Sequence, residues 1–264
     1  MCTLAAYVRV TAEVPLLVAA NRDEFLDRPS AAPALIAHDP WVFAGQDLSA
    51  GGTWFGVNEH GMVVGLLNRR QPEGPDPARR SRGLLCLETL QTRSPAEAAQ
   101  RLRGVDAAAY NSFNLLVADA REAFVATAPF PAALPRRHGL HEPGARVQIT
   151  PLPSGVHLLT NAELNDPTCP RIAKSSELFR AFTPPSAAAI ECAVPALCVI
   201  LSDHATALDP RASTIDTLCV HRDGYGTRSS SIVAVTAAGT MRYWHAAGPP
   251  CRSAYEELSL PRVG

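Results

Sequence analysis

The chain has 264 residues, 47% hydrophobic and 19% charged, a balance that excludes disordered, fibrous and membrane-embedded classes. Its 24 Lys and Arg residues against 25 Asp and Glu give a formal charge of −1, so bulk charge favours neither nucleic acid nor an anionic membrane. Lys174 is the sole lysine and has no glycines before it, which excludes a G-x-x-x-x-G-K-[ST] phosphate loop and confines Schiff-base chemistry to that one residue.

The elements follow in chain order. Cys2 to Val10 and Leu16 to Asn21 predict paired antiparallel strands around a proline-containing turn. Gly51-Gly52 marks a bulge or a close backbone approach, and Thr53–Val57 and Met62–Asn68 predict a hairpin turning at Asn58-Glu59-His60-Gly61. Gln71 to Arg82, with three prolines and three arginines, reads as an exposed loop. Two short helices follow, the first around Leu84–Leu90. The second is opened by Ser94-Pro95-Ala96-Glu97, with a serine cap, proline at the first helical position and glutamate three residues after the cap.

Strands resume at Phe113–Ala118 and Ala123–Ala126, and Pro129–Pro153 reads as a proline-rich loop with one strand near Val147. Gly155–Thr160 predicts a buried strand that runs into a polar loop. Arg171–Phe182 and Ala187–Leu201 predict helices, the second interrupted at Pro195, before strands at Leu218–His221, Ser230–Val235 and Thr240–Trp244. This order suits antiparallel sheets covered by helices better than a parallel βαβ succession.

The seven cysteines are an odd number in a chain whose first ten residues read as a strand rather than an export signal, so reduced thiols and a cytoplasmic location are expected. No apolar run approaches the ~20 residues of a bilayer span. Cys2 stands out chemically. Removal of Met1 would leave a cysteine carrying a free α-amine, and an amine with a pKa near ~7.7–8.0 can accept the thiol proton, uniting nucleophile and base in one residue. Asn21-Arg22-Asp23-Glu24 follows the apolar run Leu16–Ala20; if extended, Asn21 and Asp23 face one side and Arg22 and Glu24 the other. An arginine near Cys2 favours thiolate, and a carboxylate orients the α-ammonium.

Met1-Cys2-Thr3-Leu4, Asn21-Arg22-Asp23-Glu24-Phe25 with Arg28-Pro29, Gly51-Gly52-Thr53-Trp54-Phe55-Gly56 and Tyr225-Gly226-Thr227-Arg228-Ser229-Ser230 together resemble the NRDE family, also called the transport and Golgi organisation protein 2 family. The resemblance spans nearly the whole chain. That family is similar in turn to the cysteine N-terminal nucleophile (Ntn) hydrolases, the group of choloylglycine hydrolase and penicillin V acylase. The implied fold is α+β, a four-layer αββα sandwich of two antiparallel sheets covered by helices, with residues 1–264 as a single domain.

Carried over by position, the resemblance implies Cys2 as nucleophile. Arg22 and Asp23 are chosen from the polar run, with Asn21 and Glu24 as alternatives, because the hydrolases use Arg-Asn-x-Asp where this chain has four contiguous residues. The hydrolase segment Gly-x-Asn-Glu-x-Gly, followed by a strand ending in Asn, is matched by Gly56–Gly61 and Asn68. Its Leu-Thr-Asn is matched by Leu159-Thr160-Asn161, and its closing arginine by Arg228. The amides of Asn68 and Asn161 suit an oxyanion, and Arg228 a thiolate or substrate carboxylate.

The expected activity is that of a cysteine amidohydrolase or acyltransferase acting on an amide or thioester through an acyl-Cys2 intermediate. The alternative is a non-catalytic protein that binds or traffics haem or another hydrophobic ligand, a role to which the resembled family is linked in eukaryotes. A small-molecule substrate or ligand is the expected partner, with no nucleic acid and no transmembrane segment; the oligomeric state stays open. No cofactor is expected, haem entering only as a transported ligand. No metal is expected either, since Cys-x-x-Cys and His-Glu-x-x-His are missing and His138 and His141 stand together in a loop. Cys219 and His221 would share a face if extended. Trp54 and Phe55 suit either a pocket wall or, as an aromatic pair beside glycines more often does, the core, and they are left out of the catalytic set.

Overall fold

The computed structural model describes residues 2–71, 74–128, 146–204 and 217–261; His138 and His141 lie outside them. Strands β1 (Thr3–Val8) and β2 (Leu16–Phe25) pair antiparallel, Leu4 opposite Ala20 and Val8 opposite Leu16. Both faces of this hairpin are covered, so its sequence is a nearly unbroken apolar run rather than an alternating one.

Strands β3 (Ser30–His38), β4 (Trp41–Asp47), β5 (Phe55–Asn58) and β6 (Val63–Asn68) follow, then helices α1 (Arg82–Leu90) and α2 (Pro95–Arg103). Next come β7 (Phe113–Ala118), β8 (Ala123–Ala128), β9 (Gln148–Pro151) and β10 (Gly155–Leu159), and helices α3 (Pro170–Ala181) and α4 (Ala193–Leu201). The last strands are β11 (His221–Arg222), β12 (Tyr225–Val235), β13 (Met241–Ala246) and β14 (Glu256–Leu258).

They form two antiparallel sheets. One runs β10-β1-β2-β12-β13-β14, with β11 attached to β12, and the other runs β3 to β9 in sequence order. Three apolar clusters define four layers. Leu4, Val8, Leu16 and Val233 of the first sheet meet Phe43, Val57, Val63 and Leu116 of the second, while Leu85, Leu90 and Leu102 of α1 and α2 cover the outer face of the second sheet. Ile172, Phe179 and Leu197 of α3 and α4 cover the outer face of the first. Each fully buried side chain of this kind contributes about 1.5–3 kcal/mol, so the sandwich closes on hydrophobic burial without disulfides. No helix among the described residues is long and apolar enough to cross a membrane.

Three strands, β3, β4 and β14, escape the sequence pattern. β3 contains Pro33, which demotes a run as a strand, but β3 is the edge of its sheet and its register shifts between Ala31 and Ala34, where proline is tolerated. β14 is three residues, two of them glutamates, again at an edge. β2 is longer than expected, continuing through the polar run to Phe25. Pro195 does not break its helix, because the α-helix begins at Ala193 and the proline falls in the first turn, where its missing N–H is not needed.

The close approach expected at Gly51-Gly52 is present. Gly52 has φ +79°, Thr53 N–H donates to Gly83 O at 3.0 Å, and a Cβ at Gly52 would collide with the Gly83 backbone at the start of α1. Gly61 has a similar φ of +78°, but a Cβ there meets open space. Gly52→Ala should therefore destabilise the protein by about 2–4 kcal/mol in urea denaturation, from backbone strain and overpacking together. Gly61→Ala should lose only the strain, about 1–2 kcal/mol.

Candidate functional site around Cys2

The site grows from the alternation of β2. Because the strand stays extended through Asn21-Arg22-Asp23-Glu24, neighbouring side chains leave it on opposite faces. Asn21 and Asp23 face the helical layer. Asn21 Nδ2 donates to the carbonyls of Leu201 and Leu218, both at 2.9 Å, and its Oδ1 accepts from Ser230 Oγ at 2.7 Å. Arg22 faces the other sheet, its guanidinium 4.0 Å from the centroid of the Trp54 ring.

Asp23 is the most enclosed charge of the set, with its side chain at 0% and that of its partner Arg171 at 2% relative exposure. Arg171 Nη1 donates to Asp23 Oδ2 and to Thr3 Oγ1, both at 2.9 Å, and Thr227 Oγ1 donates to Asp23 Oδ1 at 2.7 Å. Burial pushes the Asp23 carboxyl up from its ordinary value, and Arg171 and the Thr227 hydroxyl oppose it. The backbone carbonyl of the same residue lies 3.9 Å from Cys2 Sγ.

Cys2 opens into a cleft of about 660 Å³, whose walls include Arg22, Trp54, Asn68, Arg28, Arg79, Arg80, Arg82 and Tyr225. The thiol's pKa is raised from its ordinary value, burial being the largest cause, and Arg22 pulls it down. The resting thiol is thus protonated at neutral pH, and a base must take its proton before it can attack.

The cleft is rich in arginine. Arg28 pairs with Asp47 at 2.6 Å, Arg79 with Asp76 at 3.6 Å, and Arg80 with Glu88. Arg22 and Arg82 form no ion pair within 4.0 Å among the described residues. Burial lowers the pKa of both, that of Arg82 to about 10, yet both stay cationic at neutral pH. Arg82 Nη1 donates to Ser112 O at 3.1 Å, which fixes it at the cleft wall.

The remaining expected residues divide. Asn68, exposed at the end of β6, lines the cleft with Cys2. Asn161 does not line it among the described residues; its carbonyl accepts from Arg70 N–H at 3.0 Å. Asn114 holds that loop by donating to the carbonyls of Thr160 at 3.2 Å and Ala162 at 2.7 Å. Arg228 Nη1 donates to the carbonyls of Phe25, Leu26 and Arg28, which places it on the turn after β2. Glu24 lines the cleft and lies 4.0 Å from Arg28.

Sequence reasoning missed three contributors. Trp54, left out of the catalytic set, packs against the core as expected and also forms the stacking platform for Arg22. Arg82 closes the stretch read as an exposed loop; residues 74–78 are exposed as expected, and the stretch also walls the cleft. Arg171 lies 148 positions from Asp23, beyond any local pattern; the only signal was an arginine beside the proline that starts an amphipathic helix.

Two measurements probe this framework. Arg171→Met strands a buried carboxyl and should lower stability by about 3–5 kcal/mol in urea, with much of that recovered in Asp23→Asn/Arg171→Met. His245 is buried in β13 with its Nδ1 3.0 Å from Ser231 Oγ, and burial lowers its pKa from 6.5 to about 4. Its contribution is present above pH 6.5 and is lost as the pH falls towards 4, because the unfolded chain takes up the proton first. Comparing urea stability at the two ends of that window, His245→Gln should lose about 2–3 kcal/mol less than wild type on acidification.

Among solved structures, the chain is similar to the Caenorhabditis elegans N-acylethanolamine-hydrolyzing acid amidase ortholog, with a TM-score of 0.54 and 10% identity over 88% of this chain and 92% of that one. It is also similar to a single-residue variant of conjugated bile acid hydrolase from Clostridium perfringens, with a TM-score of 0.50 and 12% identity over 100% of both chains. The fold is therefore Ntn-hydrolase-like. The human Transport and Golgi organization protein 2 homolog is 28% identical over 245 residues, covering 86% of this chain and 84% of the relative. The sequence profile of Transport and Golgi organisation 2 matches residues 1–247, and the chain belongs to that family.

Proposed function

We propose that the protein is a cysteine N-terminal nucleophile hydrolase or acyltransferase acting on an amide or thioester whose acyl or leaving part carries an anionic group. The observation that carries this reading is the single cleft shared by the Cys2 thiol, the Asn68 side chain and the guanidiniums of Arg22 and Arg82. In such a mechanism Met1 is removed and the α-amine of Cys2 takes the thiol proton, supplying the base that a half-buried neutral thiol requires. The thiolate adds to the carbonyl carbon, and an amide donor such as Asn68 receives the developing oxyanion.

Collapse of the tetrahedral adduct breaks the C–N or C–S bond. The proton held on the α-ammonium goes to the departing amine or thiolate, leaving the acyl group on Sγ. Water, or an acceptor in an acyl transfer, then adds to the thioester with its proton returned through the same amine and restores the free thiol. Arg22 and Arg82 neutralise the anionic group of the substrate, an interaction strengthened by their partial burial.

A second reading has one observation in its favour. Phe25 lines the cleft at 58% exposure, and Leu26 and Leu48, each next in sequence to a cleft residue, are 51% and 57% exposed, an apolar rim over arginines that also suits the carriage of an amphipathic anion such as haem. The two readings separate by experiment. Hydrolysis reads on Cys2: intact mass should show Met1 absent, a thiol-directed electrophile should label Cys2 ahead of the other six cysteines, and Cys2→Ala should lower turnover of anionic N-acyl amides or acyl thioesters by about 10³-fold or more. Retained Met1 on nearly all molecules defeats the free-amine mechanism. Full haem binding and full cellular function in Cys2→Ala would favour carriage.

A further inference from the structure

Apart from the residues that line the cleft, four side chains with metal-binding chemistry converge. His204 follows α4, Cys219 and His221 lie at the entry to β11, and Cys251 comes after β13. Their ligand atoms all lie within 4.8 Å of one another. Cys219 Sγ is 3.6 Å from Cys251 Sγ and 3.5 Å from His221 Nε2, and His221 Nε2 is 3.2 Å from Cys251 Sγ.

A tetrahedral zinc ion, with Zn–S near ~2.3 Å and Zn–N near ~2.0–2.1 Å, holds its ligand atoms roughly 3.3–3.8 Å apart. Two of the three distances between Cys219, His221 and Cys251 fall in that range, and the third, 3.2 Å, lies just below it. The fourth ligand, His204, has its Nδ1 3.0 Å from the carbonyl oxygen of Cys219, the kind of outer hydrogen bond that fixes the tautomer of a metal-bound imidazole. The rings of His204 and His221 stand 5.1 Å apart between centroids.

We propose that His204, Cys219, His221 and Cys251 form a structural zinc site. Two thiolates and two neutral imidazoles are a recurrent tetrahedral donor set for this ion, and they fill its coordination sphere without leaving a position for substrate. Binding displaces one proton from each thiol: Zn²⁺ and two S–H groups give a neutral Zn(S)₂ unit and two protons. Cys219 is buried while His221 and Cys251 are exposed, so the ion enters from the surface. Local spacing gave only half the set: the four ligands come from three separate stretches of chain, and only Cys219-Val220-His221, two side chains on one face, shows a pattern.

Zinc here would tie the end of α4 and the segment after β13 to a strap that supports Asp23. Val220 N–H donates to Thr227 Oγ1 at 2.9 Å, Thr227 N–H returns to Val220 O at 2.9 Å, and the Thr227 hydroxyl donates to Asp23.

The test uses the full chain purified in reductant. Zinc content should be one ion per chain, or should reach that value when zinc is added, with two protons released per ion. Cys219→Ser/Cys251→Ser should bring it near zero, while Cys2→Ala keeps it. Wild-type protein titrated with Co²⁺ should show the intense ligand-field bands of a tetrahedral thiolate complex, saturating at one equivalent and erased by zinc. That readout needs no variant to fold. Absence of uptake by wild type, an octahedral cobalt spectrum, zinc retained in the double variant, or a Cys219–Cys251 disulfide that forms in place of metal binding would each overturn the proposal.

Discussion

The enclosed pair between Asp23 and Arg171 is the constraint around which the site is arranged. Two charges taken out of water gain little net stability, since apolar residues of similar volume would often serve the fold as well. What the pair achieves is placement. Arg171 reaches from α3 through the first sheet's outer face to both Asp23 and Thr3, and so fixes the residue that follows Cys2 against the strand that carries Arg22. Thr227 completes the carboxylate's coordination from β12. Three elements thus meet on one buried oxygen pair, in the residue whose backbone carbonyl lies 3.9 Å from Cys2 Sγ.

The opposite side of the cleft depends on a different kind of contact. Trp54 presents its ring to Arg22, and the glycines ahead of it let the chain pass against the start of α1, where Arg82 begins the helix. A desolvated guanidinium on an aromatic face keeps its charge without a carboxylate partner. Arg22 and Arg82 thus bring two cations without an ion pair among the described residues to a cleft whose walls also carry Asp23, Glu24, Asp47 and Asp76, in a chain whose formal charge is −1. Near-neutral composition conceals these two cations because the other arginines of the cleft, Arg28, Arg79 and Arg80, are matched with acidic side chains.

Much of the fold was legible because most strands and helices carry strong local signals. The Ser94 cap does accept from Glu97 N–H, and the Asn58–Gly61 turn joins β5 to β6. Two of the strands that were not legible, β3 and β14, are edges, where Pro33 and the glutamates of β14 obey the need to block further pairing rather than the need to fill a core; the third, β4, lies inside its sheet, and its apolar run Trp41–Ala44 is too short to stand out between Pro40 and Gly45. In the site, Cys2 and the alternating polar run could be found because position and period are local properties. Arg171, Arg82 and the His204–Cys251 cluster could not, because each acquires its role only when segments far apart in sequence are brought together.

The bulge in β12 has a consequence for how this protein can vary. β2 and β12 keep strict pairing from Leu16 opposite Val235 up to Arg22 opposite Ser229, then slip by one residue so that Asp23 faces Thr227. Side-chain identity along β2 is a matter of degree, but its length is not: one residue gained or lost before Arg22 would turn the guanidinium towards the helices and the carboxylate towards the cleft. Divergence in this strand is thus free to proceed by substitution and closed to insertion or deletion, and loops at either end must absorb every change of length.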